Sequence, residues 1–264
     1  MDSLKSYEDL KNKPLVEAYV EIRWRLPKQE MGQSFDYKFL LGRLHGQIEG
    51  KFPYYEPLPS AHVPDEMAGH TVQHRFRTQQ DGWPVIQVGP GIFTFNETSQ
   101  YIWPSFKADV LEAVEDYYSA YPQKEKLEPV SIFLKYIDAI QFDHIREDVR
   151  QFLRDKLKVG IALPDDLFES GHIEHNPRSL KFEVSFPCDK PKGQVVVLFA
   201  TGSSNKDGNE YPSIIWHTTV QSLGNNVPII PKGLENWLDS AHEITHDWFL
   251  KFSEGDLLRS FEGE

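Results

Sequence analysis

Leu15-Val16-Glu17-Ala18-Tyr19-Val20-Glu21-Ile22-Arg23-Trp24-Arg25-Leu26 alternates strictly between apolar and polar-faced positions. Val16, Ala18, Val20, Ile22, Trp24 and Leu26 fall on one side; Glu17, Tyr19, Glu21, Arg23 and Arg25 fall on the other. A period of two over this length predicts a half-buried strand whose second face is wet or charge-paired. The period then switches. Tyr37, Leu40, Leu41, Leu44 and Ile48 form a helical stripe. The prolines at 53, 57, 59 and 64 predict a long connection with room for a short edge strand. Extended segments are expected at 71–78, 85–88 and 92–96, with Gly89-Pro90-Gly91 turning between the last two. Phe106, Val110, Ala113, Val114, Tyr117 and Tyr121 define a second helix that ends before Pro122.

The second half repeats this order. Residues 132–142 read as a strand that is apolar on both faces for much of its length, so it is a candidate central strand. Val149, Phe152, Leu153 and Leu157 mark a helix, and a Pro/Gly-broken connection runs from 160 to 177. Segments 180–186, 195–200 and 214–220 read as strands, with a flexible loop by composition at 202–209. A closing helix carries Leu234, Trp237, Leu238, Ala241, Thr245, Trp248 and Phe252 on its stripe. The expectation is an α+β protein built by internal duplication of a strand–helix–(three or four strands)–helix unit. The sheet should be mostly antiparallel with helices on one face, a topology like that of the TATA-box-binding protein by analogy of shape. The units are expected at 13–122 and 129–253, with a linker at 123–128 and flexible tails at 1–12 and 254–264.

Composition narrows the function classes. The chain has 264 residues, 39% of them hydrophobic and 13% aromatic, enough for a substantial core, and carries a net charge of −12. That charge repels a phosphate backbone, which argues against nonspecific nucleic-acid binding. One cysteine, Cys188, excludes an intramolecular disulfide and a cysteine-rich zinc cluster. With no apolar signal-like segment at the N-terminus and no uncharged run near eighteen apolar residues, the expected location is cytoplasmic, without a membrane span.

His242-Glu243-Ile244-Thr245-His246 matches H-E-x-x-H, in which two His one helical turn apart hold Zn²⁺ and the Glu deprotonates the bound water. The ligand count argues against it. Phe249 and Phe252 occupy the Gly and third-His positions of the extended motif. Eighteen residues follow His246, and the candidates further on among them are Glu254, Asp256, Glu262 and Glu264. A zinc-dependent hydrolase using His242, His246 and Glu243 is therefore the alternative reading, with zinc as its only implied cofactor. Gly89-Pro90-Gly91 lacks the Lys and Ser/Thr of a phosphate loop and precedes a strand, so it reads as a hairpin turn. Asp138 interrupts Tyr136-Ile137-Asp138-Ala139-Ile140, where a buried carboxylate needs a partner. Arg23, Arg25, Arg75 and Arg77 are candidates for that partner. A second possibility is a mixed-charge groove formed by Glu17, Glu21, Arg23 and Asp138.

Several short stretches resemble a sporadically distributed prokaryotic family of uncharacterised function. They are Pro14-Leu15-Val16-Glu17-Ala18 leading into Glu21-Ile22-Arg23-Trp24, Gln87-Val88-Gly89-Pro90-Gly91 before Asn96, Leu134-Lys135-Tyr136-Ile137-Asp138, and Leu238-Asp239-Ser240-Ala241-His242. The resemblance spans nearly the whole chain. Where the family pattern often has Arg and Asn, this chain has Lys135 and Asp138. The family's Leu-Asp-x-x-His signature falls on Asp239 and His242 and does not require Glu243 or His246. The resemblance implies no established activity; sporadic occurrence suits an accessory component of a mobile or defence locus. The expected function is a non-enzymatic binding or assembly protein with a protein partner or a second copy of itself. Its candidate binding residues are Glu17, Glu21, Arg23, Asn96, Asp138, Asp239 and His242. A nucleic-acid-binding saddle is the remaining alternative.

Overall fold

A computed structural model describes residues 7, 10–26, 35–98, 100–169, 171–206 and 208–263. The strands are β1 (Leu15–Trp24), β2 (Tyr54–Pro57), β3 (His74–Arg77), β4 (Val85–Gly89), β5 (Ile92–Glu97), β6 (Pro129–Gln141), β7 (Lys181–Asp189), β8 (Lys192–Lys206) and β9 (Asn209–Leu223). The helices are α1 (Phe35–Ile48), the single turn α2 (Asp65–Ala68), α3 (Trp103–Ala120), α4 (Val149–Leu157), α5 (Leu234–Ser253) and α6 (Asp256–Glu262). The nine strands of the described residues join one antiparallel sheet in the order β2-β3-β4-β5-β1-β6-β9-β8-β7. β1 and β6 lie side by side in its middle. On each flank the last strand of a meander returns to pair with its central strand, β5 with β1 and β9 with β6.

The alternation of β1 does what its period demands. Ala18, Val20, Ile22 and Trp24 are at most 1% exposed, while Glu17, Tyr19, Glu21 and Arg23 stay half-exposed on the opposite face. α3 packs on the buried side, where Trp24 stacks on Tyr117 with ring centroids 4.7 Å apart. The Trp24 indole also donates to the Tyr118 hydroxyl at 3.0 Å. At the other end α5 lays Phe249 parallel to Trp216 of β9, and Trp237 donates to Ser222 Oγ at 2.8 Å. α1 packs on the same side, with His45 stacked on Phe76 of β3. One continuous apolar core results.

Local chemistry places the breaks. Asp148 caps α4 by accepting from the backbone N–H groups of Arg150 and Gln151. Gly91, at φ 67°, closes the β4–β5 hairpin, and a Cβ on Gly89 would stand 1.9 Å from the Thr71 carbonyl oxygen. Gly89-Pro90-Gly91 is thus a tight turn against a neighbouring backbone.

Four expectations change. Val16 is 46% exposed because a register irregularity between Leu15 and Glu17 turns it outward and brings Leu15 onto the core. The stretch expected as a loop at 202–209 is mostly strand: the β8–β9 ladder continues from Gly202↔Ser213 to Lys206↔Asn209, with Gly208 at φ 79° in the turn. Polar composition does not prevent pairing when two long strands share a tight connection. The tail expected at 254–264 contains α6, which buries Leu257 and Phe261. Of the tail expected at 1–12, Tyr7 and Leu10 are buried, and Asn12 donates its N–H to the Phe261 carbonyl; residues 1–6, 8 and 9 lie outside the described residues. No described helix is long and apolar enough to cross a membrane.

Candidate functional site

Two polar regions stand out, one on each face of the sheet. The first is the face without helices. Strand register carries a row of polar side chains across it: Glu56, Arg75, Gln87, Thr94 and Glu21 lie on neighbouring strands β2, β3, β4, β5 and β1. Arg75 donates to Gln87 Oε1 at 2.9 Å and meets Glu56 at 3.6 Å. Asn96 sits among them, 5% exposed. Its Oδ1 accepts from Thr94 Oγ1 at 2.6 Å and from Gln87 Nε2 at 3.1 Å, and its Nδ2 donates to Glu17 Oε1 at 2.6 Å. Both amide ends are occupied, so Asn96 ties β4 and β5 to β1.

Next to this network the face sinks into a depression of about 230 Å³ spanning β1, β6, β9 and β8. Tyr19 and Phe133 supply aromatic surface, and Thr219 and Gln221 supply hydrogen-bonding groups. Two cations lie against the rings: Lys135 Nζ 5.9 Å from the Tyr19 centroid, and the Arg23 guanidinium 5.6 Å from that of Phe133. Arg23 is held by Glu21 at 2.6 Å. Burial pulls the Lys135 ammonium below the usual lysine range, against the opposing field of Glu17, Glu21 and Glu183. The surface is therefore amphipathic and mixed in charge, with no single-sign field.

The second region lies beneath α5. Tyr7, Leu15, Tyr101, Tyr136, Asp138, Thr218, His242, Thr245, His246 and Phe249 line a small cavity of about 30 Å³. Tyr136 OH lies 2.6 Å from Tyr101 OH and 3.0 Å from His242 Nδ1, forming a chain from α3's approach through β6 to α5. Trp103 stacks on the His242 ring at 3.9 Å. Burial, reinforced by His246 and Lys107, pulls His242 down to about 3, so its ring is neutral at pH 7. Asp138, 3% exposed, faces this cavity, and its Oδ1 has no hydrogen-bond partner. Desolvation pushes its carboxyl up to about 8. Tyr7 OH and Thr218 Oγ1 are likewise buried without partners. A cavity of this size and polarity suits about one water.

The proposed groove of Glu17, Glu21, Arg23 and Asp138 does not form. Asp138 shares the parity of Ile132, Leu134 and Ile140 and points to the helix-bearing face, whereas Glu17, Glu21 and Arg23 point to the other. The arginines considered as its partners are engaged elsewhere: Arg23 with Glu21, Arg25 with Glu128, and Arg75 and Arg77 with Glu56. Asp239 and His242 each anchor α5, but to different groups. Asp239 accepts from Lys107 of α3 at 2.9 Å, and His242 is clamped by Trp103 and Tyr136.

The H-E-x-x-H residues divide. His242 faces the cavity, Glu243 is exposed, and the His242 and His246 ring centroids are 5.6 Å apart at 41°. Among the described residues no three His, Cys, Asp or Glu side chains are placed to hold a metal ion. Tyr101, Trp103, Tyr136 and Thr218 escaped the sequence reading, because nothing local relates residues that meet only across the core. Tyr19 was legible by its parity with Glu17 and Glu21.

No protein-family model matches the chain, and no curated protein matches it significantly.

Proposed function

We propose that this protein is a non-enzymatic binding or assembly component that takes a protein partner on the helix-free face of its sheet, and that it works in the cytoplasm. The observation that carries this reading is the depression over β1, β6, β9 and β8, where aromatic surface is bordered by paired and half-buried charges. Such amphipathic, aromatic-centred surfaces suit protein contact, in which a desolvated core is ringed by polar groups. The cavity beneath α5, at about 30 Å³, is an order of magnitude below the several hundred Å³ that a metabolite needs, which favours a structural role for it. Net charge and the interleaved Glu side chains weigh against a phosphate backbone on the same face.

We read the two halves as a duplicated strand–helix–strands–helix unit with a topology like that of the TATA-box-binding protein. The support is the order β5-β1-β6-β9 at the centre, in which each unit's first strand pairs with its own last strand and with the other unit's first.

The test compares the wild-type chain with Phe133→Glu/Lys135→Glu as bait in its native host. A protein retained by the wild type and lost from a correctly folded variant is the expected outcome. Identical retention by both baits, or a salt-sensitive gel shift with DNA or RNA that the variant abolishes, would overturn it.

A further inference from the structure

The two ends of the sheet are unlike. β2 is four residues long and ends in Pro57, a short edge that offers little to pair with. β7 is nine residues, Lys181-Phe182-Glu183-Val184-Ser185-Phe186-Pro187-Cys188-Asp189, and within the described residues it bonds β8 on one side only. Five of its residues alternate onto the helix-free face: Lys181, Glu183, Ser185, Pro187 and Asp189. Phe182, Val184, Phe186 and Cys188 lie on the helix-bearing face, opposite Phe199, Val197, Val195 and Gly193 of β8. Phe186 remains 48% exposed although its ring meets Trp248 of α5 at 5.8 Å. A long, partly apolar edge of this kind is a template for another strand.

The sequence of β7 is self-complementary when run antiparallel to itself about Ser185. That register sets Lys181 opposite Asp189 at both ends. Phe182 then opposes Cys188, Val184 opposes Phe186, Glu183 opposes Pro187, and Ser185 meets its own copy. Every apolar residue pairs with an apolar one on the helix-bearing side, and the two lysine–aspartate pairs fall on the helix-free side. Among the described residues the ion pair of Lys181 is with Glu183 at 3.6 Å, an exposed neighbour it can exchange for Asp189 of a second copy. Other registers are worse. A two-residue slip one way sets Glu183 against Asp189; the other way strands Lys181 against Pro187. A one-residue slip puts the apolar set opposite the polar one. Pro187 withholds one backbone donor, which costs at most one ladder bond per copy.

From this we infer that β7 is a dimerisation edge, and that two copies of the chain pair through it about Ser185 to form one continuous antiparallel sheet with both helix-free faces on the same side. The contact is isologous, so it closes on itself as a two-fold dimer. It does not depend on what the helix-free face binds.

The decisive experiment places single cysteines on β7 in a Cys188→Ser background and oxidises the full-length protein mildly. Residues directly opposite in an antiparallel pair have Cα atoms about 4.5–5.5 Å apart, within disulfide range. Ser185→Cys should therefore give a disulfide-linked dimer. Glu183→Cys, offset from its own copy by four residues or roughly 14 Å, should not. Sedimentation equilibrium should show a dimer for the wild type and roughly tenfold weaker association for Lys181→Asp. Lys181→Asp/Asp189→Lys should restore it. A wild-type monomer throughout the accessible concentration range, or equal crosslinking of the two cysteine variants, would overturn the inference. Phe133→Glu/Lys135→Glu should still dimerise, which separates failure at this edge from failure of the helix-free face as a binding surface.

Discussion

Trp103 and His242 are stacked nearly parallel, 9° apart in plane and 3.9 Å between centroids, although 139 positions separate them in sequence. Trp103 opens α3 and His242 lies on α5, so the stack joins the two main helices over the cavity, and the Tyr136 hydroxyl fastens the same imidazole to the sheet.

His242 is stacked on Trp103 and hydrogen-bonded to Tyr136, so its removal should cost more than that of His246, which lines the same cavity. His242→Ala should cost about 2–4 kcal/mol through the lost Trp103 stack and the lost bond to the Tyr136 hydroxyl, which keeps Tyr101 as its other partner, and His246→Ala should cost less. Urea unfolding with circular dichroism measures both. If the pair instead formed a zinc centre, elemental analysis would find stoichiometric metal, and losing either histidine would remove it.

Asp138 should leave a signature in the pH dependence of stability. Its folded-state value, about 8, lies above the ordinary aspartate value of ~3.9, so the folded form holds the proton where the unfolded chain has released it. Its contribution is complete below ~3.9 and is lost as pH rises through 8, on the order of 5 kcal/mol over the whole excursion. His242 acts in the opposite sense. Depressed to about 3, it contributes above ~6.5 and loses its contribution as pH falls toward 3. The two oppose each other in mildly acidic solution, so the Asp138 effect is isolated between about pH 6.5 and 8, where stability should fall with rising pH. Asp138→Asn should flatten that slope; an unchanged slope would place the cause elsewhere.

Asn96 should matter more than the charge it touches. Asn96→Ala leaves Thr94 and Gln87 without their shared acceptor and frees Glu17, an expected loss of about 2–3 kcal/mol. Glu17→Gln keeps an acceptor for Asn96 Nδ2 and should cost under about 1 kcal/mol. A double-mutant cycle on the pair reads their coupling directly.

Asp239 and Lys107 form an ion pair with side chains 49% and 23% exposed, where solvent screens the attraction. Asp239→Ala should therefore lower stability by less than about 1 kcal/mol, and the loss should shrink further in molar salt. A larger, salt-insensitive loss would mean that Asp239 has a role beyond this bridge.

Much of the architecture follows from patterns that the chain carries locally. Period-two alternation in β1 and the stripes of α1, α3 and α5 name most of the core residues, because side-chain direction repeats with the backbone; on α5 Phe249 is buried while Trp248 and Phe252 of the expected stripe are only partly so. The same rule applied to β6 assigns Asp138 to the face of Ile132, Leu134 and Ile140. Grouping it instead with Glu17, Glu21 and Arg23 weighed charge above parity. The irregularity at Leu15–Glu17 breaks that rule for Val16, and no residue type there announces it.

What the sequence by itself determined is therefore most of the elements, the face that most of them bury, and the central place of the strand that begins the second half. Those depend on contacts between residues a few positions apart. The tertiary structure alone decided that Tyr101, Tyr136, Thr218 and His242 line one cavity, that Trp103 stacks on His242, and that Asn96 spans three strands to reach Glu17. Such meetings depend on strand register and helix placement summed over the whole sheet, and a one-residue slip in any ladder would undo them.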